Sequence, residues 1–101
     1  MKTLYSQEQI NRTKNITKVI GDSNNILILY ELMNFGDKSF NELKRMTDIN
    51  AVTLSKKLST LKLEGLVNCR EEGNEKHYYL TDKAEQLRPI IRNIENLVIN
   101  K

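Results

Sequence analysis

Apolar residues recur along this chain at helical spacing except in one late stretch, where they alternate with polar ones. Residues 8–20 carry a thin stripe of Ile10, Ile16, Val19 and Ile20, which predicts a first helix broken at Gly21 and Asp22. Thr13 and Thr17 lower its helix propensity. Residues 1–7 have no period and read as a loose arm. Residues 24–34 are apolar at Ile26, Leu27, Leu29, Tyr30, Leu32 and Met33. So little polar surface predicts a helix central to the core. Phe35-Gly36-Asp37 ends it, with Gly36 suited to a left-handed C-cap. Ser39 and Glu42 form a capping box for a third helix whose inner face is Phe40, Leu43 and Met46. Thr47-Asp48-Ile49-Asn50 makes a tight connection, with Ile49 plugging the space between helices. A fourth helix follows over residues 51–64, with Leu54, Leu58 and Leu61 on one face, Val52 and Leu63 beside it, and Gly65 as its stop.

The period then changes to two. Residues 66–70 and 76–80 read as paired strands, with Val67 and Cys69, then Tyr78 and Leu80, alternating with their neighbours. Glu72-Gly73-Asn74-Glu75 supplies the reversal. Thr81 caps a last helix that runs to about residue 99 along Leu87, Ile90, Ile91, Ile94, Leu97 and Val98. Pro89 inside that pattern predicts a bend or a start one turn late. This order predicts a mainly α fold with a small β-wing, a winged helix-turn-helix with extra N- and C-terminal helices that form a dimer. The expected organisation is one domain over 1–101, with an arm and helix in 1–22, a winged-helix core in 23–81 and a C-terminal dimerisation helix in 82–101.

Composition narrows the function classes. The 101 residues carry 16 basic and 13 acidic side chains, a net +3 that permits nucleic-acid binding without demanding it. The excess is local: residues 38–62 hold six basic and two acidic residues. One cysteine excludes an internal disulfide and a cysteine-rich metal site. Catalysis lacks its usual parts, with no glycine-rich phosphate loop, no nucleophile elbow and no histidine-based dyad. The single histidine, His77, has no ligand spacing around it, and no metal or cofactor is expected. No apolar run reaches the ~18–20 residues that span a bilayer, and the N-terminus turns polar too soon for a signal peptide. A cytoplasmic protein that is not an enzyme is the expectation.

The leucine stripe of the fourth helix decides which side chains face out. Asn50, Thr53, Ser55, Lys56, Lys57 and Thr60 then form a flank that fits a major groove, with Asn50 and Thr53 closest to bases if the helix enters end first. Lys44 and Arg45 on the preceding helix are candidates to brace phosphates. At the wing, Arg70 and Lys76 can straddle a minor groove or its flanking phosphates, whereas Glu71, Glu72 and Glu75 are repelled by the same backbone. The terminal stripes exceed what so small a core needs. Ile10, Leu87, Ile90, Ile91, Ile94, Leu97 and Val98 are therefore the candidate dimer residues. Double-stranded DNA and a second copy are the expected partners. Two competing readings use the same fold: a protein-interaction module, and a weakly selective DNA coater. A small-molecule effector, for which a pocket between dimer halves leaves room, has no support in the residues themselves.

Several segments resemble the HxlR-type winged-helix transcription regulators. They are Asn25-Ile26-Leu27-Ile28-Leu29-Tyr30-Glu31-Leu32, Phe40-Asn41-Glu42-Leu43-Lys44, Leu54-Ser55-Lys56-Lys57-Leu58 with Leu61, Glu64-Gly65-Leu66-Val67, Tyr79-Leu80-Thr81 and Leu87-Arg88-Pro89-Ile90. The resemblance spans roughly residues 23–98. It implies a dimer built from the terminal helices, a recognition helix in the major groove of promoter DNA, and Pro89 near the start of the terminal helix. Many members carry a cysteine just before the first core helix, and some use it to sense electrophiles or oxidants. Gly21-Asp22-Ser23-Asn24 has none, so that sensing mode does not carry over. The family's tryptophans are absent as well. The outline also resembles ArsR-like metal sensors, without their cysteine and histidine ligand sets.

Overall fold

The structure, a computed structural model, describes residues 4–99, the last of them by its backbone alone. Among the described residues, six helices and three short strands follow one another. They are α1 (Gln7–Ile20), α2 (Ser23–Phe35), β1 (Lys38–Ser39), α3 (Phe40–Thr47), α4 (Ala51–Leu63), β2 (Val67–Glu72), β3 (Glu75–Leu80), α5 (Asp82–Glu85) and α6 (Arg88–Ile99). The architecture is mainly α with a small wing, as the hydrophobic pattern predicts.

Each helix start has a local cause. Ser6 and Gln9 close a capping box on α1, so the helix begins inside the segment read as an arm; residues 1–3 of that segment lie outside the described residues. Asp22 caps α2 through two backbone N–H groups. Ser39 and Glu42 close the expected box on α3, and Asn50 caps α4. Gly36 ends α2 at φ 80°, ψ −167°. This is not the left-handed helical cap but an extended, positive-φ conformation essentially restricted to glycine.

Between Gly36 and α3 the chain does something the pattern did not foretell. Lys38 and Ser39 form a third strand, paired antiparallel with Tyr78 and His77, so the sheet order is β1-β3-β2. Two residues are too short for a period to register. The hairpin itself is longer than expected, from Val67↔Leu80 to Glu72↔Glu75, and turns over the two residues Gly73 and Asn74 with Gly73 at φ 63°.

The core joins Ile28, Leu29 and Leu32 of α2, Leu43 of α3, Leu54, Leu58 and Leu61 of α4, and Leu66, Val67, Leu87 and Ile91. Ile49 fills the corner between α3 and α4, as expected. Met46 does not join the inner face of α3. It is 44% exposed, because α3 has only eight residues and packs mainly through Phe40 and Leu43 at its start and middle. The terminal helix is divided. Thr81 caps a single turn, α5; Gln86 and Leu87 interrupt it; α6 restarts at Arg88. Pro89 therefore stands in the first turn of α6, where its missing N–H breaks no helical bond.

Candidate nucleic-acid interface

The α3–turn–α4 unit is held by short local bonds. Thr47 Oγ1 donates to the Leu43 carbonyl at 2.6 Å. Asp48 then adopts the left-handed conformation, φ 58°, and its N–H donates to the Lys44 carbonyl at 3.1 Å. A short polar side chain tolerates that geometry, where a β-branched residue is strained. Asn50 Oδ1 accepts from the Thr53 N–H at 2.9 Å, so this candidate base reader also serves as the cap of α4. Leu54, Leu58 and Leu61 are buried and root the helix. Gly65, at φ 73°, lets the Leu66 N–H return to the Leu61 carbonyl at 2.9 Å and closes the far end.

At about 100° per residue, the flank of α4 opposite those leucines carries Val52, Lys56, Ser59 and Leu63, with Ser55 and Thr60 at its edges. All six are exposed. The Lys56 ammonium has no hydrogen bond or ion pair among the described residues, while the Lys56 carbonyl accepts from Thr60 Oγ1. Val52 entered the sequence reading only as a neighbour of the leucine stripe. Its place on the outward flank, 67% exposed near the helix start, makes it a candidate for apolar contact with a thymine methyl. Its angular position was the available signal.

Lys57 is placed differently from Lys56. It lies about 60° from the leucine stripe rather than opposite it. Its Nζ donates to Asp22 Oδ2 at 2.6 Å, across 35 residues of sequence. The Lys57 hydrogen bond is the main reason the Asp22 carboxyl is held below its ordinary range.

The structure brings Ser55 and Lys76 together. With Ser39, Asn41, Asn74 and Tyr78 they line a cleft of about 400 Å³ between α3, α4 and the wing. Asn41 also borders a shallow recess of about 380 Å³ holding Lys44, Arg45 and Asp48. Lys44, Arg45 and Lys76 are exposed and unpaired among the described residues. The outer side of α3 and the mouth of the cleft thus carry a basic surface beside α4, interrupted by Asp48 and Glu75, which line the same two hollows.

Arg70 is not part of it in the same way. Its guanidinium donates to Asp37 Oδ2 at 2.6 Å and to Glu72 Oε1 at 2.7 Å, and lies 5.8 Å from the Tyr79 ring centroid. Those bonds raise its pKa, and Arg70 in turn holds Glu72 low. His77 Nε2 stands 3.7 Å from Glu72 and 3.8 Å from Glu75, too far for hydrogen bonds. Cys69 is half-buried, with Lys62 Nζ at 3.6 Å from its sulfur. Burial raises the Tyr78 hydroxyl's pKa. Among the described residues no three His, Cys, Asp or Glu side chains come together as a metal site, and no helix is long and apolar enough to cross a membrane.

The candidate dimer residues divide into two sets. Leu87 and Ile91 are buried in the chain's own core. Ile90, Leu97 and Val98 are exposed, Leu97 by 79%, and Ile10 and Ile94 are half-buried. Ile94 and Val98 face Ile26, Leu27 and Tyr30 across an apolar groove of about 230 Å³ between α2 and α6.

A short helix, a tight turn, a rooted second helix and a three-stranded wing define a winged helix-turn-helix protein of the transcription-regulator class. The sequence profile of the HxlR-like helix-turn-helix family matches residues 19–100, and the chain belongs to that family. No curated protein sequence matches it. Solved structures of the same shape include HlyU from Vibrio cholerae N16961, 23% identical, covering 91% of this chain and 97% of that one with a TM-score of 0.76. The transcriptional repressor BigR from Xylella fastidiosa is 28% identical over 87% of this chain and 90% of its own, with a TM-score of 0.74. The homodimeric winged helix-turn-helix DNA-binding domain Mb0332 from Mycobacterium bovis is 20% identical, covers 99% of this chain and 96% of its own, and has a TM-score of 0.77.

Proposed function

We propose that this chain is a sequence-specific regulator that binds double-stranded DNA as a homodimer, with α4 in the major groove of each half of a pseudopalindromic operator. One observation carries the reading. The outward flank of α4 is unengaged by the rest of the molecule, and unpaired Lys44, Arg45, Lys56 and Lys76 surround it. Cations free of internal partners are available to displace counterions from phosphate. Asn50, Val52 and Thr53 lie at the end of the helix that enters first, where base edges are read. Ser55 and Thr60 border the groove walls. Arg70 enters the interface only by giving up two carboxylates, so the wing contributes chiefly through Lys76.

The exposed apolar residues of α6, together with Leu27, support pairing with a second copy, as does the homodimeric state of Mb0332. Two copies related by a twofold axis set their recognition helices about one turn of DNA apart, ~34 Å. On this reading residues 1–101 act as one domain, residues 82–101 serve the dimer, and the place of work is the cytoplasm. Selection of bound duplexes from a random pool tests it. An enriched inverted repeat with half-sites roughly 10 base pairs apart is the expected result. Equal recovery of all sequences overturns sequence-specific regulation.

A further inference from the structure

We propose that Asp22, which lies outside the basic surface, is a positioning residue for duplex recognition: its carboxylate, tied to Lys57, sets the roll of α4. This rests on the reading of α4 as the recognition helix. The two oxygens of Asp22 do separate jobs. Oδ1 accepts from the N–H groups of Asn24 and Asn25, at 2.9 and 3.1 Å, and so closes the start of α2. Oδ2 accepts from Lys57 Nζ at 2.6 Å. Among the described residues this is the one ion pair that ties α4 to another part of the molecule. The two side chains are 28% and 30% exposed. They stand in a recess of about 370 Å³ shared with Asn15, Lys18, Asn25 and Thr60.

The leucines of α4 cannot do this work alone. Leu54, Leu58 and Leu61 fix which face of the helix points inward, but apolar burial is non-directional and holds small rolls less tightly than a polar bond does. A charge-assisted hydrogen bond on the flank is directional and removes that freedom. A helix with its side chains has a radius of roughly 5–6 Å, so a roll of about 10° moves an outer side chain by ~1 Å. That displacement is enough to spoil a hydrogen bond to a base edge while leaving diffuse attraction to phosphates intact. With its ammonium turned to Asp22, Lys57 supplies specificity without supplying a phosphate contact.

Asp22→Asn separates the two jobs, because asparagine remains a good cap and places an amide where Lys57 expects a carboxylate. The experiment measures binding of the full chain to a duplex selected from a random pool and to random duplex, across a salt series. The expected result for Asp22→Asn is a helix content and melting temperature near wild type, about tenfold weaker binding to the selected duplex, and unchanged or stronger binding to random duplex. Lys57→Met should show the same fall in the ratio with an unchanged salt slope, and Lys57→Arg should restore the ratio. Wild-type ratios in both Asp22→Asn and Lys57→Met overturn the proposal. So does a Lys57→Met protein that binds every duplex more weakly with a log–log salt slope smaller by about 0.9 per protomer, which makes Lys57 a phosphate contact. If the wild-type chain itself shows no preference for any duplex, the recognition-helix reading fails first and this proposal with it.

Discussion

Lys56 and Lys57 are adjacent and chemically identical, yet the structure gives them opposite employment. One ammonium is free at the outward flank of α4, and the other is held by Asp22. Lys56→Ala is therefore expected to weaken binding to all duplexes and to lower the salt slope by about 0.9 per protomer, as read in a titration of affinity against salt. Arg70→Ala is expected to change affinity less than about twofold in the same titration, because its guanidinium is already spent on Asp37 and Glu72. A fall in slope for Arg70→Ala matching that for Lys56→Ala would show the wing arginine leaving its carboxylates for DNA. In the sequence both lysines fall on the flank the leucines leave free, although helical angle already sets Lys57 nearer the leucine stripe than Lys56. That angle could not name Asp22 as the acceptor, since that pairing depends on how α4 lies against the α1–α2 corner.

At the scale of elements, ends are governed by local chemistry and faces by neighbours. The capping box of Ser39 and Glu42 and the break at Gly65 were legible because they need only residues a few positions apart. The exposure of Met46 and the strand at Lys38–Ser39 were not, because both depend on what packs beside a very short segment. Gly36 sits at a junction where its φ of 80° and ψ of −167° turn α2 into β1. An added Cβ meets nothing within 4 Å, so any effect of Gly36→Ala is backbone strain rather than collision. A loss of about 1–3 kcal/mol is expected from the urea midpoint. Acid should loosen the same joints. Asp22 is held below its ordinary range chiefly by the Lys57 hydrogen bond, Glu42 by the backbone N–H of Ser39, and Glu72 by Arg70. Each pKa is lower in the folded state than in the unfolded one. Their stabilisation is thus complete above the ordinary carboxylate pKa of about 4 and is lost as pH falls through the lower folded values. Urea midpoints should be flat from neutrality to about pH 5 and drop below ~4. Glu42→Gln should make that drop shallower.

Across the whole molecule the unanswered surface is apolar. Leu87 and Ile91 finish the core of one chain, while Ile90, Leu97 and Val98 remain outside with Leu27 across the α2–α6 groove. Burying that face against a second copy removes apolar area from water at ~25 cal/mol per Å². Replacing Leu97 and Val98 together by glutamate should yield a monomer by sedimentation with helix content retained, and a loss of operator affinity steeper than either half-site alone explains. A dimer that survives both charges places the interface elsewhere. The family profile extends over residues 19–100, so it includes α6 along with the helix-turn-helix.

Sequence by itself determined the order of the main helices and the hairpin, the caps at Ser39 and Thr81, the leucine root of α4 and the basic bias of residues 38–62, because periodicity and short-range hydrogen bonding act between near neighbours in the chain. Tertiary structure alone decided which cations stay free. A salt bridge across 35 residues, the Arg70 bond to Asp37 across 33, and the division of the terminal stripe into core and exposed face all arise when distant segments meet. Charge can be counted along a chain. Its availability to a partner depends on which opposite charge the fold has already brought within reach.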